Sequence, residues 1–178
     1  MFRKLFNKVG MSLTETILAI GILSIVMAAT TAGITAARNN YEKIVLRTDS
    51  LTLLSTISMG MEADLSNAIN PVVTEVRAVY NGEEHISEEL KFESKLRGYA
   101  MFYDNVDGKI CILAHDYRDN FDVIPLATDS AHTSRLESRL ASIEYFPDHK
   151  YFEYVIEIVE KETGNVVLSE KFDTRTYE

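Results

Sequence analysis

From Thr16 to Ala37 the chain runs for twenty-two residues without one ionisable side chain. As a helix rising about 1.5 Å per residue, such a run is roughly 33 Å long, enough to cross a hydrocarbon core of about 30 Å. Its flanks orient it. Met1–Gly10 carries Arg3, Lys4 and Lys8 and no acid. Cationic flanks resist translocation, so the N-terminus is expected in the cytoplasm and everything after Arg38 outside. Glu15 stands alone at the mouth of the run. A carboxylate there is costly unless it stays at the interface or meets a cation, so its position is expected to be functional.

These residues resemble the class III signal of the type IV pilin-like family, prepilins and pseudopilins alike. The likeness lies in a short basic leader ending in Gly, an apolar residue, a small spacer, an acid at the fifth mature position and a long apolar run. Here Gly10 precedes the cut, Met11 becomes the new N-terminus, Ser12, Leu13 and Thr14 form the spacer, and Glu15 is the acid. The resemblance implies that prepilin peptidase, a membrane aspartyl peptidase, cleaves after Gly10 on the cytoplasmic side. It implies N-methylation of the Met11 amine and entry of the mature chain into a helical filament of pilin or pseudopilin subunits. Gly10 lacks a Cβ, which suits an extended backbone in a tight protease cleft. The Glu15 carboxylate would neutralise the Met11 amine of a neighbouring subunit, removing two charges from a dry filament core at once. The chain departs from the family in one respect. Many type IV pilins carry a Pro well inside the mature helix, where it can melt, whereas no Pro precedes Pro71 here; Gly21 and Gly33 are the weak points.

A length of 178 residues allows one small extracytoplasmic domain besides the helix. The formal net charge is −9, and without the leader's three cations it becomes −12, which argues against nucleic acid as a partner through the overall field. Cys111 is the single cysteine, so no intramolecular disulfide can form. Gram-negative pilins often close a C-terminal loop with a disulfide; its absence tilts the likeness toward a Gram-positive pilin or a pseudopilin. His85, His115, His132 and His149 are scattered and make no zinc pattern. There is no Gly-x-Ser-x-Gly, no phosphate-cradling Gly loop and no His-Glu-x-x-His, so neither a catalytic site nor a cofactor is expected.

Beyond Arg38, Leu46, Leu54, Ile57, Met61, Leu65, Ala68 and Ile69 recur mostly at helical spacings. The expected division is a leader over 1–10, a hydrophobic transmembrane and assembly helix over 11–37, an amphipathic continuation over 38–70 and a head over 71–178. Pro71 is expected to end the helix. A continuous helix would then reach about sixty residues, far beyond the usual globular length of about 10–14. The competing arrangement is two helices broken near Ala37–Asn40, where Asn39-Asn40 is a cap pair.

From Val72 the period becomes two, and Asn81-Gly82 is a turn dipeptide. Residues 87–98 read as a short helix, with acids early, bases late and Gly98 as a stop. Tyr99–Tyr103 and Lys109–Ala114 read as a hairpin, and Phe121–Leu126 as an edge strand because Pro125 cannot donate to a central ladder. Thr133–Ile143 has Leu136, Leu140 and Ile143 at helical spacing, with a strand over Leu140–Phe146 as competitor. Tyr151–Glu160 and Val166–Phe172 form a hairpin turned by Thr163-Gly164-Asn165, expected at the centre of the sheet. The fold class is α+β, a long N-terminal helix packed on a four- to five-stranded antiparallel sheet. In the loop between the first hairpin's strands, Asp104, Asn105 and Asp107 are a weak calcium candidate, with Asp116, Asp119 and Asp122 following. Asp-Asn-x-Asp-Gly is also ordinary turn chemistry. Tyr99, Phe102, Tyr103, Tyr151, Phe152 and Tyr154 are expected in the sheet core rather than on an adhesive surface.

The sequence therefore points to a minor pilin or pseudopilin of a pilus, competence or secretion system, a substrate of an enzyme rather than an enzyme. Such a protein begins as a single-pass cytoplasmic-membrane precursor and ends in an extracellular or periplasmic filament. The alternative is a bitopic membrane protein with an extracytoplasmic ligand-binding or sensory domain, which would keep its leader. A third reading is a soluble domain released near Ala32 by a conventional signal peptidase, although the apolar stretch exceeds the roughly 7–15 residues of such signals. Replacing Gly10 with a bulky residue such as Phe is expected to leave the uncut precursor in the membrane, read as a larger band on an immunoblot of membrane fractions.

Overall fold

The computed structural model describes residues 12–80, 83–95, 100–115, 121–128 and 135–177. They form one helix and eight strands: α1 Leu13–Ser66, β1 Ala68–Tyr80, β2 Glu83–Ser94, β3 Ala100–Val106, β4 Lys109–His115, β5 Phe121–Pro125, β6 Leu136–Phe146, β7 Tyr151–Glu160 and β8 Val166–Arg175. The class is α+β. The strands make two antiparallel sheets, β1-β2-β3-β4-β5 and β6-β7-β8, rather than the single sheet expected, and β7 is central only to the smaller one. The chain divides into two compact units, Met1–Val45 and Leu46–Glu178.

In the first unit the described chain is helical from Leu13 onward, and α1 continues unbroken through Asn39-Asn40. The cap pair does not interrupt it, and Arg38 and Glu42 bridge one turn across it at 3.1 Å.

In the second unit the helix buries one face. Ser50, Leu53, Leu54, Ile57, Met61, Asp64, Leu65 and Ser66 recur at steps of three and four, the spacing of one helical stripe. The apolar members join Phe92, Met101, Tyr103, Ile110 and Ile112 of the larger sheet and Phe152, Tyr154, Ile156 and Ile158 of the smaller in one core. Each large side chain so buried contributes about 1.5–3 kcal/mol. Cys111 lies in a smaller cluster with Phe102, Val106 and Leu113. Burial pushes its thiol above the ordinary range, a setting that keeps it protonated and inert.

The helix ends at Ser66, before the expected stop at Pro71. Asn67 stops it: its side-chain amide donates to the Ala63 carbonyl at 2.9 Å, and its own carbonyl accepts from the Lys95 N–H at 3.1 Å. Pro71 instead sits in β1, an edge strand, within the irregularity between Ile69 and Val72, beside Asn70 at φ 50°. A residue without an N–H fits such a place because no ladder bond is lost.

Two predicted helices are strands. Residues 87–94 lie in β2, where Leu90, Phe92 and Ser94 are buried in alternation with Lys91 and Glu93, and pairing with β1 outweighs the helix-like order of charges. Residues 136–146 form β6, which carries a register shift between Leu140 and Ser142. The extra residue turns a period of two into the Leu136, Leu140, Ile143 spacing that imitates a helix. The other strand expectations hold: β3 and β4 form a hairpin, β5 is an edge strand ending at Pro125, and Phe152, Tyr154, Ile156 and Ile158 are at most 1% exposed. Phe102 and Tyr103 are buried as well, Tyr151 is half-buried, and Tyr99 and the Asn81-Gly82 turn lie outside the described residues.

The two sheets are joined through the β3–β4 turn. Asp107 and Gly108 have φ of 51° and 70°, the two positive values of a type I′ hairpin, with Val106 paired to Lys109. The Gly108 carbonyl accepts from the Ser138 N–H at 2.9 Å, and the Ser138 hydroxyl accepts from the Ile110 N–H at 3.1 Å. A Cβ on Gly108 would come within 2.6 Å of the Glu137 side chain. Gly108→Ala is therefore expected to destabilise the head by about 1–3 kcal/mol through its left-handed backbone alone. By contrast, Gly60 lies inside α1, and an added Cβ would rest 3.5 Å from Leu126 Cδ2, an ordinary contact. Gly60→Ala is expected to stabilise by about 0.5–1 kcal/mol. Urea unfolding followed by the near-ultraviolet circular dichroism of the buried tyrosines distinguishes the two signs.

Candidate functional site

The N-terminal helix is the candidate site, and its polar chemistry is concentrated at one end. Glu15 lies in the first turn of α1. Its Oε2 accepts from the Ser12 N–H at 2.9 Å, while the Ser12 hydroxyl accepts from the Glu15 N–H at 3.3 Å. This reciprocal pair is a capping box, which satisfies two of the donors that a helix N-terminus leaves without an internal partner. Carboxylates in the first turn are further favoured by the helix dipole. The Ser-x-x-Glu spacing of Ser12 and Glu15 is the sequence signal for it, beside the assembly role that the resemblance implies for Glu15. Gly10 and Met11, the expected cleavage and methylation positions, lie outside the described residues.

Beyond the cap every residue from Ser12 to Val45 is exposed within the chain, large apolar side chains such as Leu13, Ile17, Leu18, Ile25 and Ile34 included. The run from Thr16 to Ala37 contains five hydroxyl residues, Thr16, Ser24, Thr30, Thr31 and Thr35. Each donates to the carbonyl four residues earlier, at 3.3, 2.8, 2.8, 2.9 and 2.9 Å respectively. No hydroxyl proton in this run calls on water, so the segment offers an apolar medium or an apolar partner a surface already satisfied within itself. It is long and apolar enough to cross a membrane.

The loop acids behave differently from a cation cradle. Asp104 Oδ1 accepts from the Asn105 N–H at 2.7 Å. The Asn105 side chain is committed across the sheet junction, its Oδ1 accepting from the Leu140 N–H at 2.8 Å and its Nδ2 donating to the Leu140 carbonyl at 3.0 Å. Asp107 forms the type I′ turn. Calcium takes six to eight oxygens, and here the amide oxygen serves to dock β3 on β6. Among the described residues no group of three or more His, Cys, Asp or Glu is placed to hold a metal. Asp122 is in β5, and Asp116 and Asp119 lie outside the described residues.

On the outer face of the smaller sheet, ion pairs cross between strands. Arg139 holds Glu157 through Nε at 3.0 Å and through Nη2, Arg135 holds Glu160 at 3.1 Å, and Lys171 holds Glu153 at 2.6 Å. The Glu153 hydrogen bond raises the Lys171 ammonium above its ordinary value. A shallow depression of about 440 Å³ lies over this last pair, lined by Tyr151, Glu153, Lys171, Phe172, Asp173 and Arg175. Of the charges lining it, Lys171 and Glu153 are paired with each other.

No family model, curated protein or solved structure matches the chain. The functional reading therefore rests on the N-terminal geometry and on the sequence pattern around it.

Ser12→Ala removes the acceptor of the Glu15 N–H and is expected to cost the helix start about 1 kcal/mol. Amide hydrogen exchange should show this as roughly fivefold faster exchange of Glu15, with the amides of the head unchanged. Glu15→Gln keeps an acceptor for the Ser12 N–H and should leave that exchange near the wild-type rate.

Proposed function

We propose that this protein is a filament subunit of the type IV pilin kind, in a minor pilin or pseudopilin role, cleaved after Gly10 by prepilin peptidase. Its mature N-terminal helix is drawn from the membrane into a bundle of like helices. There Glu15 neutralises the Met11 amine of a neighbouring subunit. The observation that carries the reading is a helix from Leu13 that is exposed throughout its first unit, free of ionisable groups from Thr16 to Ala37, internally satisfied at every hydroxyl of that run and headed by one carboxylate. An apolar surface of that extent needs lipid or other helices around it. The basic leader ending in Gly10 adds the processing signal.

The capping box favours a second reading, since it accounts for Glu15 without any neighbouring subunit. On that reading the helix is the permanent anchor of a bitopic protein whose head binds a ligand outside the membrane.

The N-terminal sequence and mass of the protein from its native membrane separate the two. A start at Met11, with the mass of one added methyl group, is the expected result, and an intact Met1 would establish the anchor instead. Glu15→Gln then isolates the charge from the cap. The variant is expected to be processed normally yet enter filaments at least tenfold less well, because losing one member of a buried ion pair costs about 3–5 kcal/mol. Counting tagged subunits in sheared filaments against those in the membrane reads this out.

A further inference from the structure

Strand β8 is an edge of the smaller sheet, and among the described residues it pairs with β7 alone. It is ten residues long, and its outward N–H and C=O groups form a template for another strand. The charges beside that edge are unevenly placed. Glu144, Glu153 and Asp173 stand directly opposite one another across β6, β7 and β8, on the outer face. Like charges in such a row repel. Lys171 bridges to Glu153 at 2.6 Å, next to the last acid of the row, Asp173, which is exposed at the edge itself.

We propose that β8 pairs antiparallel with β8 of a second copy of this chain, about a two-fold axis through Phe172. The choice of register follows from charge. An antiparallel pair continuing the sheet places opposed residues on the same face, so the axis must pass through one residue of the strand. An axis at Glu170, Lys171 or Asp173 sets that charge against its own copy. At Leu168 or Ser169 the charges meet aliphatic groups, and at Thr174 only residues 173–175 of the strand overlap. With Phe172 on the axis, Lys171 of each copy lies opposite Asp173 of the other, Ser169 opposite Arg175 and Glu170 opposite Thr174, and the two Phe172 rings meet. The acidic row then ends on a lysine. The surface belongs to the head and stands or falls independently of pilin-type processing.

The test uses the full chain in detergent micelles. A mixture of ¹⁵N-labelled and unlabelled protein treated with a zero-length carbodiimide should yield a mixed-isotope link between Lys171 and Asp173, which only two copies can make. Because the apolar helix can self-associate as well, sedimentation of charge variants provides the second readout. Lys171→Asp and Asp173→Lys should each weaken dimerisation at least tenfold, since each disturbs two pairs per dimer. The double exchange, which again sets a lysine opposite Glu153 and opposite the second copy's acid, should restore it. Absence of the mixed-isotope link, or single variants that associate like the wild type, would overturn the proposal.

Discussion

A hydrogen-bond donor in an apolar medium must be satisfied within its own segment, and the apolar first part of α1 is built to meet that constraint. Helix geometry meets it for the backbone everywhere except the first turn. The hydroxyls of Thr16, Ser24, Thr30, Thr31 and Thr35 meet it by turning back onto the preceding turn. At the start, Ser12 and Glu15 satisfy two of the donors that the first turn leaves over. The single acid near the run therefore sits where the helix has its greatest need of an acceptor. Along the rest of the run a side-chain acceptor would have no donor to meet.

In the head the same requirement is met by side chains that reach between sheets. Where two sheets meet without pairing, backbone groups at the junction lack ladder partners, and one left buried without a partner costs about 1–3 kcal/mol. Asn105 supplies both a donor and an acceptor to Leu140, and Ser138 engages Gly108 and Ile110 at its backbone and hydroxyl. The turn that allows this approach needs two left-handed residues in succession, and Asp107-Gly108 provides them. A loop whose oxygens suggested cation binding thus has a mechanical part in the fold. The helix stripe from Leu53 to Leu65 then covers both sheets at once, which explains why one apolar face serves two layers of strands.

Much of this was legible because periodicity survives burial. The helix, the β3–β4 and β7–β8 hairpins and the edge character of β5 could be read from spacing and from Pro125. Three things were hidden, each for a physical reason. The bulge in β6 shifts its inward residues by one position, and a strand with one such shift has the apolar spacing of a helix over that interval. In β2 the acids and bases lie in helical order although Leu90 and Phe92 alternate, and the deciding factor is β1, a neighbour that local charge order does not encode. The division into two sheets depends on where the chain between β5 and β6 returns, which no strand's own pattern specifies. At the candidate site the apolar run and Glu15 were plain. The capping partner Ser12 was equally present in the sequence, three residues before Glu15 in the Ser-x-x-Glu spacing of a capping box, but that spacing and the charge-pairing spacing share the same Glu.

Capping does not by itself explain why residue 15 is Glu. Gln at the third helical position closes the same box, since the bond needs only an oxygen to accept from the Ser12 N–H. The charge adds an interaction with the helix dipole worth about 0.3–1 kcal/mol, which is enough to favour Glu while the turn lies at a wet interface. It would be too little in the water-free bundle of the proposed filament, where an unpaired carboxylate costs several kcal/mol. Dipole and cap together leave most of that cost uncovered, and a unit positive charge is what cancels it. An α-amino group one residue before Ser12, created by cleavage after Gly10, is the cation that the proposed maturation supplies. On the proposed maturation, the same carboxylate caps the helix before cleavage and would meet a cation after it, and only the second role would require a charge.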